Sequence, residues 1–79
     1  MSPTVFRKDK YRFFFFSREE IRMHVHVSHP DGEAKFWLEP QIALETQSGL
    51  SSKQIKTIET LIHENLHDVQ TAWKAHFQS

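Results

Sequence analysis

Cysteine is absent from the 79 residues, and glycine occurs only twice. Without cysteine there is no disulfide, no thiol nucleophile and no Cys-type zinc site, and the composition fits a reducing compartment, by default the cytoplasm. No glycine-rich phosphate loop, Ser-His-Asp order or paired-carboxylate spacing stands out, so the common enzyme classes find no positive support. No apolar run approaches the roughly 20 residues that span a bilayer, and the start MSPTVFRKDK lacks the apolar core of a signal peptide. A soluble protein with no membrane contact is the expectation. Ten basic residues against ten acidic ones leave no net charge, whereas a strong non-specific nucleic-acid binder carries a clear basic excess. A chain of this length buries only about 60% of its unfolded surface, so one domain over residues 1–79 with a marginal core is expected.

Charge and apolar residues are nevertheless unevenly placed. Up to Arg22 the chain carries Arg7, Lys8, Lys10, Arg12, Arg18 and Arg22 against only Asp9, Glu19 and Glu20. Aromatic and β-branched residues dominate the first half, and the second half reads at helical period. Thr4–Arg7 and Tyr11–Phe16 are predicted strands of a hairpin with Asp9 in the turn. Arg22–Ser28 alternates strictly, His29-Pro30-Asp31-Gly32 supplies a turn, Glu33–Leu38 forms a further strand, and Pro40 closes it. Gln41–Glu45 reads as either a short edge strand or an extended loop before the breaker Thr46-Gln47-Ser48-Gly49. Ser51 and Gln54 form a capping-box pattern ahead of the stripe Ile55, Ile58, Ile62, Leu66, Val69, Trp73 and Phe77. The predicted fold is α+β: a β-rich region over 1–45, forming an antiparallel sheet of three to five strands, with one long C-terminal helix over 51–78 packed on one face.

Strand parity then assigns surfaces. Ile21, Met23, Val25 and Val27 share the core side, as do Ala34, Phe36 and Leu38, and Tyr11, Phe13 and Phe15 are taken inward. The face away from the helix therefore carries Arg12, Phe14, Phe16, His24, His26, Lys35 and Trp37. Two phenylalanines and a tryptophan side by side approach the apolar area that marks a binding surface. Three covers are open: a protein partner, a second copy of the chain in a homodimer, or the loop around Ile42 and Leu44 folded back over the face.

Two histidine motifs carry chemistry. His24 and His26 share a strand face, a geometry that serves a metal site completed by Glu33, Glu39 or His29, or an acid–base pair for phosphodiester cleavage. Ordinary surface histidines are the reading set ahead of both. His63-Glu64-Asn65-Leu66-His67 matches H-E-x-x-H, in which two histidines one turn apart hold zinc beside a glutamate base. His67 is followed by no G-x-x-H extension, and a solvated helix flank is the preferred reading. No metal and no cofactor are expected. Aromatics interleaved with bases also match platforms for single-stranded RNA, which keeps RNA as an alternative ligand with His24 and His26 as the runner-up catalytic pair.

The strings PTVFRKDKYRFFFFS, HVHV, DGEAKFWLEP and GLSSKQI, with a helix ending AWKAHF, resemble a bacterial family of small proteins, the domain of unknown function numbered 4160. The resemblance runs over nearly the whole chain. Met23 departs from it by standing where the family has proline before the first histidine of its HVH motif, and the H-E-x-x-H is not a family feature. The resemblance implies a compact sheet-plus-helix protein encoded beside a second small protein, in what looks like a toxin–antitoxin module. It implies a protein partner and brings no catalytic residues. The resulting expectation is a non-enzymatic interaction subunit that binds its partner through the aromatic and histidine face.

Overall fold

The computed structural model describes residues 4–16 and 22–77. The expected inward position of Ile21, the base at Arg18 and the helix end at Gln78 lie outside these residues. Five strands form an antiparallel meander in the order of the chain: β1 (Thr4–Lys8), β2 (Tyr11–Phe14), β3 (His24–His29), β4 (Gly32–Trp37) and β5 (Ala43–Ser48). The fold is α+β. β5 takes in Ala43–Glu45 of the segment left between strand and loop and, against the expected breaker, runs on through Thr46, Gln47 and Ser48, which pair with Lys35, Ala34 and Glu33; the chain turns only at Gly49, whose φ is 82°.

The β1–β2 hairpin closes through Asp9 and Lys10, with Lys8 opposite Tyr11. Asp9 takes φ 55°, the left-handed region that a two-residue hairpin loop asks for and that Asp tolerates better than most residues. Replacing it by a β-branched side chain, Asp9→Val, is expected to cost about 1–2 kcal/mol, read as a lower urea midpoint with an unchanged slope. A midpoint equal to wild type would show that the loop relaxes into another turn.

Inward side chains follow the predicted parity. Phe13, Val25, Val27 and Phe36 are completely buried, Phe15, Leu38 and Ala34 nearly so, and all belong to one apolar cluster with the helical residues. Phe6 of β1 adds a stacked ring 4.2 Å from that of Phe13. Both edge strands carry an irregularity in pairing. Val5 is the extra residue between Thr4 and Phe6, and Glu45 is the extra residue between Leu44 and Thr46.

In place of the single long helix that the stripe predicts over 51–78, two helices, α1 (Ser52–Glu64) and α2 (Leu66–Phe77), meet at Asn65. The capping box at the start is formed as expected, with Gln54 N–H donating to Ser51 Oγ and Ser51 N–H to Gln54 Oε1. At the junction, the Leu61 carbonyl accepts from both the backbone N–H of Asn65 at 3.1 Å and its side-chain Nδ2 at 2.8 Å. A side chain competing for that carbonyl bends a helix, and Asn65 leaves helical geometry at φ −118°, ψ 16°. Because Ile62 and Val69 stand seven residues apart, the apolar stripe stays in phase across the break. Ile58, Ile62 and Val69 are fully buried, while Ile55, Leu66 and Phe77 pack partly against the same core.

The turn between β3 and β4 lies directly against the loop between β5 and α1. A Cβ on Gly32 would fall 1.9 Å from the Ser48 carbonyl oxygen, and one on Gly49, whose φ is 82°, 2.3 Å from that of Asp31. Asp31 Oδ2 also accepts from Gln54 Nε2 at 2.8 Å, so the capping residue of α1 ties the helix to this turn. None of the helices among the described residues is long and apolar enough to cross a membrane.

Candidate functional site

Pairing register arranges the face opposite the helices in cross-strand rows. One row is Arg12, Ser28, Glu33 and Ser48, the next is Phe14, His26, Lys35 and Thr46, and the third joins His24 to Trp37 and Ala43. Phe16, just past the end of β2, lies edge-on to His26 with ring centroids 4.4 Å apart. Directly opposite residues project to one side of a sheet, so all seven residues assigned to this face from the sequence belong to its outward set. Arg7 joins them, since it stands opposite Arg12. That base was missed from sequence because its side depends on the hairpin register and on the extra residue at Val5. The basic members Arg7, Arg12, Arg22 and Lys35 outnumber the acids, Glu33 and the Glu39 that lies beside Arg22.

The rings form one continuous network. Phe14 stacks on His26 at 5.6 Å, His26 meets His24 at 5.2 Å, and His24 meets Trp37 at 5.7 Å. Cations cover its two ends: Arg12 lies 4.5 Å over Phe14, while Arg22 and Lys35 lie 4.1 Å and 4.6 Å from the centre of Trp37. Arg12 is steadied by donating to Thr4 Oγ1 at 2.8 Å, and Arg22 by donating to the Glu39 carbonyl at 2.9 Å. Phe14 is in consequence buried and Trp37 half-buried, whereas Phe16 remains 42% exposed. Between Phe16, His26, Lys35 and Thr46 lies an open depression of about 310 Å³.

His24 departs from its expected role as a contact residue. Parity puts it on the outward side, but it is completely buried. β2 ends at Phe14, opposite His26, so His24 has no neighbour on that strand. Trp73 of α2 packs there, 5.0 Å from the His24 ring and 5.3 Å from Phe15 on the inward side. The His24 Nδ1 lies 2.7 Å from the Arg22 carbonyl oxygen and donates to it, which fixes the tautomer with the proton on Nδ1. His24 therefore supports Trp37 and His26 from below, and the two imidazoles do not present themselves together to a substrate. Only His26 reaches the surface.

The loop around Ile42 and Leu44 does not cover this face. Leu44 pairs with the inward-facing Phe36 and Ile42 packs against the core, so both turn toward the helical side. The H-E-x-x-H sequence straddles the helix break at Asn65, which removes the uninterrupted turn that a chelating pair needs, and His63 and His67 are both exposed. Among the described residues no group of three or more His, Asp or Glu side chains gathers closely enough to hold a metal.

A polar cluster not anticipated from sequence lies at the other end of the sheet. His29 Nδ1 accepts the Asp31 N–H at 3.0 Å, and its ring packs 4.6 Å from Tyr11. The cluster fixes the β3–β4 turn on which α1 rests.

A family profile described as domain of unknown function, DUF4160, matches residues 11–74. The chain belongs to the DUF4160 family. The matched DUF4160 segment begins at Tyr11 in β2 and ends just after Trp73 in α2, so it includes the aromatic rows, His24 and the tryptophan that buries it. No curated protein and no solved structure matches the chain.

Proposed function

We propose that this protein is a small interaction subunit, and that the outward sheet face bearing Arg12, Phe14, Phe16, His26, Lys35 and Trp37 binds a protein partner. The observation that carries the reading is Phe16, 42% exposed beside the half-buried His26, on the rim of the depression. An aromatic anchor bordered by arginine and lysine is the composition that protein interfaces favour at their centres. Both edge strands are interrupted by bulges, which disfavours partner addition along the edges and favours association through a face. A face-to-face homodimer would set this basic surface against itself, so a partner of different sequence is favoured. A stacking platform for single-stranded RNA needs open ring faces, whereas those of Phe14 and Trp37 already lie under cations. In the same reading the protein is one half of a two-gene, toxin–antitoxin-like bacterial module in the cytoplasm, and its partner is the neighbouring gene product.

Native mass spectrometry of untagged protein from its own host tests the proposal. Wild type is expected to carry a second protein at fixed ratio, and Phe16→Glu or Trp37→Ala to lose it while circular dichroism stays unchanged. Recovery of wild type alone, or variants that assemble normally, would overturn the assignment. Ribonuclease activity abolished by His26→Ala would replace it with the RNA reading.

A further inference from the structure

On the opposite side of the sheet, a groove of about 570 Å³ runs between β5 and α1. Leu50 forms its buried floor, Ile55 is a half-buried wall, and Leu44 at the rim is 40% exposed. With Phe16, Leu44 is one of two large apolar side chains exposed among the described residues. The other rim is basic. Lys53 and Lys56 line it from the first turns of α1, where helices favour acids, and the first turn of α1 contains none. Neither ammonium forms an ion pair among the described residues. Glu59 is the single acid along the groove.

We propose that this groove docks an extended acidic segment of a protein partner, with an apolar side chain seated between Leu44, Leu50 and Ile55 and carboxylates held by Lys53 and Lys56. Charge complementarity selects this occupant. The two lysines and the positive end of the α1 dipole converge beside an apolar floor, which matches a chain alternating apolar and acidic side chains. The extra residue at Glu45 interrupts the outer edge of β5, so recognition runs through side chains in the groove rather than through an added strand. A second copy fits less well: among the described residues, no strand apart from β5 itself carries a net negative charge. The groove is separate from the aromatic face, with the sheet between them, and does not depend on it.

Fluorescence anisotropy with a labelled peptide alternating leucine and aspartate tests this, with a leucine–lysine peptide and an oligouridylate as the other probes. The acidic peptide alone is expected to bind. Its affinity should fall at least about tenfold in Leu44→Asp and in the Lys53→Glu/Lys56→Glu double variant, and decline with added salt. Phe16→Glu should bind it as wild type does, which separates this site from the aromatic face. Because Leu44, Lys53 and Lys56 are exposed, the variants should keep the wild-type melting curve. Failure of the acidic peptide to bind, equal binding by the groove variants, or preference for the oligouridylate or the basic peptide would overturn the proposal. So would a concentration-dependent dimer, seen in sedimentation, that Leu44→Asp abolishes, since that would assign the groove to a second copy.

Discussion

Gly32→Ala is expected to remove a large share of the protein's stability. The added Cβ would meet the Ser48 carbonyl oxygen at 1.9 Å, far inside van der Waals contact, and the obstacle is backbone, not a side chain that can rotate away. Two relaxations are open, and both are costly. The β3–β4 turn can lift, which breaks the Asp31–Gln54 link to the capping residue of α1, or β5 can separate from β4 and expose Leu50 beneath it. A loss of about 4 kcal/mol follows from strain of this kind, against a total of roughly 4–12 kcal/mol for a domain this size. Urea unfolding measures the first outcome, and amide exchange confined to β5 identifies the second. A loss below about 1 kcal/mol would mean that the two loops do not touch as described. Gly49→Ala provides an independent check, because it combines a 2.3 Å approach to the Asp31 carbonyl oxygen with a left-handed φ of 82°.

Trp73→Ala should cost about 3–5 kcal/mol, the usual range for deleting a buried aromatic side chain. The indole contacts Phe15 at 5.3 Å, His24 at 5.0 Å and Phe77 at 4.1 Å, and so joins the inward and outward sides of the sheet beyond the end of β2. Its loss should have a second, local signature. The His24 ring would gain a path to solvent, and its hydrogen bond to the Arg22 carbonyl would become exchangeable. Nitrogen-15 NMR of the imidazoles reads this directly: wild type should show His24 as a fixed Nδ1–H tautomer, and the variant a mixture. If Trp73→Ala lowers stability while the tautomer stays fixed, masking of His24 is not the work of Trp73. Trp73→Phe, which retains a ring, should recover part of both effects.

The parts of this structure that could be read from sequence are those governed by local periodicity. Alternation placed Met23, Val25 and Val27 inward, and period-3.6 spacing placed Ile58, Ile62, Val69 and Trp73 on one helical face. Ser51 and Gln54 announced the start of α1 because the capping box is a contact between near neighbours. The break at Asn65 had no glycine or proline to mark it, since it arises from a side-chain amide competing for the Leu61 carbonyl. β5 gave only a weak signal because an exposed edge strand carries little apolar alternation, and the extra residue at Glu45 interrupts what there is. Parity identified the side of the sheet that His24 faces but not what lies above it. That depended on Trp73, 49 positions along the chain, reaching past the end of a neighbouring strand.

The hairpin partner of β2 has a role that its exposed position conceals. Phe13 and Phe14 end β2, and Phe15 and Phe16 follow directly, giving a four-ring run of the composition that nucleates cross-β stacking when an open backbone edge accompanies it. In the folded chain β2 has no open edge, because β3 occupies one side and β1 the other. β1 itself carries the exposed Arg7 and Lys8, and its pairing is interrupted by the extra residue at Val5, features that discourage another strand from joining. It acts as a gatekeeper for the most aggregation-prone stretch of the sequence. Fraying of those few residues would break the Phe6–Phe13 stack and uncover a sticky template at the margin of the sheet.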